Sequence, residues 1–127
     1  MKRLVLAGLA GLAAAAALGA ASGAAAQPGA KQSCFWTRDL RNHTVGDDHT
    51  LYFNVSGRDV YRITTSDNCL SGMSSSDAIV LRDRTNSGQI CNKLDLDLSA
   101  RGSRCIVSDM TKLTPAEAAA LPRRIKP

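Results

Sequence analysis

At 127 residues, with 44% hydrophobic and only 4% aromatic side chains and a formal net charge of +5, the chain has room for one modest globular domain. Charges of both signs are interspersed along it, so the positive balance makes no basic stripe of the kind nucleic acid requires; it reads as a solvated surface.

Residues 1–26 read as a cleavable secretory signal. Lys2 and Arg3 precede an apolar core that starts at Leu4, and small residues follow through Ala24-Ala25-Ala26. The core is shorter and more weakly apolar than the roughly 20 residues a bilayer span needs, so no membrane span is expected after cleavage. Cleavage after Ala26 leaves Gln27 at the N-terminus, with no cysteine there to carry a lipid. The signal has a bacterial form, and the expected location is periplasmic or secreted.

Residues 27–33 are small and polar, with Pro28 and Gly29, and form a flexible lead-in. A single β-rich domain is expected over 34–121. Cys34-Phe35-Trp36-Thr37 is its first strand, by aromatic density. Residues 42–48, with Gly46 and two aspartates, read as a loop. A hairpin follows: Leu51, Phe53 and Val55 alternate with polar neighbours, a Gly57-Arg58 turn intervenes, and Val60 to Thr65 returns with Tyr61 and Ile63 on one face. Residues 66–77 are a polar loop, 78–82 a strand and Asn86-Ser87-Gly88 a turn. Leu94, Leu96 and Leu98 alternate with polar residues as a strand with one buried face. Arg101-Gly102-Ser103 turns the chain into a last strand from Cys105 to about Met110. Thr114-Pro115-Ala116-Glu117 starts a short helix that Pro122 stops, with Thr114 as cap and Glu117 closing a capping box. A basic tail of 122–127 carries Arg123, Arg124 and Lys126. About six short strands predict a mainly β fold, a small antiparallel barrel or sandwich with one C-terminal helix.

Cys34, Cys69, Cys91 and Cys105 all lie beyond the signal, at wide intervals and with no C-x-x-C pair. In an oxidising compartment they read as two structural disulfides. Of the three possible connectivities, the expectation is the nested one: Cys34 with Cys105 ties first strand to last, and Cys69 with Cys91 pins a long loop.

Chemistry is sparse. Asp47-Asp48-His49, with His43 nearby, could orient a general base or hold a metal. The simpler account is a polar turn, an aspartate capping backbone amides. Asp95 and Asp97 lie two apart on the leucine strand, so their carboxylates share a face and could serve acid–base chemistry or bind a cation; their alternation with leucines gives the simpler account, that this face is the solvent side. Ser74 to Ser76 lack a nucleophile setting. No phosphate loop, zinc motif or cofactor fingerprint is present, so neither cofactor nor metal is expected. Phe35, Trp36 and Tyr52 read as core.

Cys34-Phe35-Trp36-Thr37-Arg38-Asp39, Asp47-Asp48-His49-Thr50-Leu51-Tyr52, Val60-Tyr61-Arg62 and Lys112-Leu113-Thr114-Pro115-Ala116-Glu117, with the four cysteines, resemble a group of small exported bacterial proteins defined only as a domain of unknown function. The resemblance covers nearly all of the chain after the signal. It implies a disulfide-containing exported domain and no assigned activity, and it places arginine where this chain has His49, which argues against a catalytic histidine. No site residue carries over.

These observations point to a non-enzymatic binding or accessory module of the cell envelope, acting as a monomer on an unknown protein or small ligand. The alternatives are a small periplasmic hydrolase using Asp48 and His49, an inhibitor of a secreted hydrolase by analogy of size and build, or a binder of anionic surfaces through the basic tail. The intact mass of the exported protein is expected to begin at Gln27, with no thiol alkylated unless reductant is added. Four free thiols would return metal or redox chemistry to the front.

Overall fold

The computed structural model describes residues 33–127. The expected signal peptide, and the lead-in up to residue 32, lie outside the described residues. The chain runs β1 (Phe35–Trp36), a 3₁₀ turn, β2 (Leu40–Asp47), β3 (Thr50–Val55), β4 (Asp59–Thr65), β5 (Ile79–Asp83), β6 (Gln89–Ile90), β7 (Leu96–Ala100), β8 (Ser103–Cys105), β9 (Val107–Lys112), α1 (Pro115–Ala120) and a second 3₁₀ turn (Arg123–Ile125).

The hairpin forms as its alternation predicts. In β3–β4, Leu51 faces Ile63 and Phe53 faces Tyr61, and all four are buried. Ser56 and Gly57 take positive φ of 54° and 74° in the connection, a conformation glycine adopts without steric penalty. The expected loop over 42–48 is instead most of the eight-residue edge strand β2. Its pairing with β3 slips between Leu40 and His43 and again between Val45 and Asp47. Each slip resets the two-residue period, so no clean alternation marks the strand in the sequence.

The strands form three antiparallel sheets: β1-β6, β2-β3-β4-β9 and β5-β7-β8. The barrel half of the fold expectation does not hold. β2 and β9 remain open edges of the four-stranded sheet, and the arrangement is sandwich-like, with nine strands among the described residues rather than about six. One apolar cluster joins Leu51, Phe53, Val55, Tyr61 and Ile63 of the larger sheet to Leu96, Leu98, Ala100 and Cys105 of the smaller one, with Phe35, Leu70 and Ile90 added. Phe35 packs on Tyr61 with ring centroids 4.7 Å apart, a tilted geometry favourable to aromatic pairs.

Two strands differ from expectation at their ends. The leucine strand begins at Leu96, leaving Leu94 in the preceding turn. The last strand divides: Cys105 closes β8 in one sheet, Val107 opens β9 in another, and Ile106 is the crossing.

The disulfides are Cys34–Cys91 and Cys69–Cys105, interleaved rather than nested. The reason is the short β1–β6 ladder. Phe35 pairs with Ile90, so the residues one step outward, Cys34 and Cys91, face each other with Cα atoms 4.0 Å apart. The first strand therefore lies against residues 89–90 and not against the last strand.

The helix forms as its start signal predicts. Thr114 Oγ1 accepts from the Glu117 amide at 3.2 Å, and Glu117 Oε2 accepts from the Thr114 amide at 2.7 Å. Beyond it the tail folds back. Thr44, on the outer face of β2, donates its hydroxyl hydrogen bond to the Ile125 carbonyl, and Lys126 Nζ donates to the Ala119 carbonyl at 3.0 Å, a cation at a helix C-terminus.

A non-reducing peptide map is expected to link residue 34 to 91 and 69 to 105. Removing the first bridge as C34A/C91A should cost about 4 kcal/mol of urea-measured stability from loop entropy. Leu98→Ala, at the centre of the core, should cost about 2–5 kcal/mol.

Candidate binding face

The Asp-Asp-His segment is a turn. Asp48 and His49 connect β2 to β3, and Asp47 Oδ1 accepts from the His49 amide at 2.8 Å. That backbone hydrogen bond holds the Asp47 carboxyl below its ordinary range. His49 donates from Nδ1 to the Asp67 carbonyl at 3.1 Å, while the His49 carbonyl accepts from the Thr65 amide at 2.8 Å. His43 points elsewhere, with its ring 6.0 Å from that of Phe53. The capping account of this segment thus holds. Among the described residues no three His, Cys, Asp or Glu side chains gather as metal ligands do.

Of the two other acids named by the sequence, Asp95 serves a turn and Asp97 an ion pair. Asp95 is not on the strand: its carboxylate accepts from the amides of Cys91 at 3.0 Å and Asn92 at 3.2 Å. Asp97 is on β7 and pairs with Arg104 at 3.3 Å, so the two acids share no face. Ser74 belongs to a turn closed by Asp77, which accepts from the Ser74 amide at 2.7 Å and from Arg101 at 3.1 Å. Asp83 accepts from Thr85 Oγ1 at 2.6 Å and from the Gly88 amide at 2.6 Å. Trp36, expected in the core, is 40% exposed and stacks beneath the Arg38 guanidinium at 4.8 Å.

What the sequence reading missed is a pair of aliphatic side chains held in solvent. Leu94 is 74% exposed and Ile106 63%. Leu94 sits at the tip of a turn closed by Asp95, and its own amide donates to Asn92 Oδ1 at 2.8 Å. Ile106 is clamped at the crossing between sheets: its amide donates to Asp67 Oδ1 at 3.1 Å, and its carbonyl accepts from the Ser66 amide at 2.9 Å. Each lies beside a disulfide, Leu94 three residues after Cys91 and Ile106 next to Cys105. Together with Leu96 and the cations Arg84, Lys93 and Arg104 they line an open depression of 430 Å³. Alternation disguised Leu94 as an inward strand residue. The one available signal was Asn92, whose side chain favours a turn two residues on.

A second, polar depression of 370 Å³ lies along the edge of β2, lined by Arg41, Asn42, His43, Thr44, Ser75 and Lys126. Among the described residues no helix is long and apolar enough to cross a membrane.

Residues 1–125 match a protein family described as a family of unknown function (DUF6491), which agrees with the resemblance to a domain of unknown function. No curated protein and no solved structure matches the chain.

The turn carboxylates set an acid limit. Asp77, through Arg101 first, and Asp83, through Thr85 first, are lowered from 3.8 to about 2. Both bind protons less readily in the folded chain, so their stabilisation is complete above the unfolded value of 3.8 and is lost as pH falls through about 2. Thermal melts should therefore show a Tm that declines over that interval, and Asp77→Asn should make the decline shallower. An unchanged acid limb in that variant would show that Arg101 and Ser74 do not hold the Asp77 carboxyl low in solution.

Proposed function

The chain belongs to this family of unknown function, DUF6491, and from its own geometry we propose that it is a non-enzymatic binding module of the bacterial cell envelope, with the Leu94–Ile106 face as its recognition surface. The observation that carries the reading is the locked exposure of those two side chains. Burying a Leu or Ile is worth about 1.5–3 kcal/mol, yet backbone amides donating to the side-chain oxygens of Asn92, Asp95 and Asp67 hold the local backbone with both residues exposed. A rigid apolar pair ringed by Arg84, Lys93 and Arg104 suits a partner that presents apolar and anionic groups together. Two disulfides and no free cysteine among the described residues support residence in an oxidising compartment, periplasmic or secreted.

The hydrolase alternative needs His49 as a base oriented by Asp48. Asp47 and the His49 backbone and ring are engaged in holding the β2–β3 turn, which supports a structural role. A benzophenone side chain placed at residue 94 or 106 in growing cells should give discrete adducts that fade in R84Q/K93Q. The same probe at residue 49 should give none, and H43Q/H49Q should leave the adducts intact. Equal adducts from all three positions would count against a dedicated face, and loss of a turnover in H43Q/H49Q would favour the hydrolase.

A further inference from the structure

Leu94 and Ile106 line the depression and are themselves 74% and 63% exposed. Their connections are held by side-chain hydrogen bonds and anchored at Cys91 and Cys105, so the tips do not need to be ordered on binding. The acids near them are engaged: Asp95 with the amides of Cys91 and Asn92, Asp67 with the amide of Ile106, Asp97 with Arg104. Lys93 uses one of its three donors on the Ser108 carbonyl. Arg84 and the remaining donors of Lys93 and Arg104 are left to face an anionic group.

Two aliphatic tips ringed by cations complement a surface whose outer layer is phosphate and whose next layer is hydrocarbon. The tips enter the acyl boundary, and the Lys and Arg stems lie along it with their charged ends at headgroup level. We infer that this face docks on the surface of an anionic phospholipid bilayer, a step that rests on the binding-module reading above. A protein partner fits less well. Stable protein interfaces take roughly 800 Å² from each side and centre on aromatic or arginine anchors in closed pockets. Here the apolar part is two aliphatic tips over an open depression of 430 Å³. Attachment of this kind is weak, reversible and salt-sensitive.

The test is flotation of the exported protein, its N-terminus defined by mass, with vesicles of mixed phosphatidylglycerol and phosphatidylcholine and with vesicles of phosphatidylcholine alone. It should float with the mixed vesicles, far less with the neutral ones, and lose its attachment in high salt. L94S/I106S, confirmed folded by its melt, should bind at least about tenfold more weakly, and R84Q/K93Q should lose the preference for anionic vesicles. Equal flotation of L94S/I106S, or equal flotation on both vesicle types, overturns the inference. If vesicle binding fails while benzophenone at residue 94 gives a defined protein adduct, lipid docking is wrong and the binding face stands. If neither forms, both readings fall.

Discussion

One stretch of three residues ties the two larger sheets together. Cys105 completes the β5-β7-β8 ladder, and two residues later Val107 opens its pairing with β4 in the other sheet. Because successive side chains of an extended chain point to opposite sides, a buried Cys105 forces Ile106 outward at the crossing. The Cys69–Cys105 bridge and the Asp67 and Ser66 hydrogen bonds then hold the crossing against the loop that leaves β4. The exposure of Ile106 is thus a consequence of how the sheets are joined, and the candidate binding face grows out of that junction.

The same economy governs the polar residues. Asp47, Asp77, Asp83 and Asp95 each accept amide hydrogen bonds that shape a turn. Such turns let a chain with few aromatic residues place nine strands within a small volume. They also account for the character of the Asp-Asp-His segment, where Asp47 holds the His49 amide and the His49 ring donates to the Asp67 carbonyl. These four carboxylates are structural parts of their turns, while the candidate binding face is aliphatic and cationic.

Much of this was readable from local pattern. The β3–β4 hairpin, β5, the core of β7 and the capped helix at Thr114 follow from alternation, turn residues and capping chemistry that act over a few positions. β2 was illegible because its two slips against β3 destroy the period that would reveal it. Leu94 was misread because a turn and a strand share the same alternating letters, and only the Asp95 carboxylate, folded back on Cys91 and Asn92, tells them apart.

The sequence by itself determined the β-rich class, the hairpin, the helix start and the presence of four cysteines suited to two bridges, because these depend on neighbours within a few residues. Tertiary structure alone decided the rest. The interleaved pairing of Cys34 with Cys91 and Cys69 with Cys105 depends on β1 choosing β6 as its partner, a contact between segments far apart in the chain. The open sandwich and the outward Leu94 and Ile106 depend likewise on which sheet each strand joins. Partner choice between distant strands is set by how their buried faces pack together, and no local pattern carries that information.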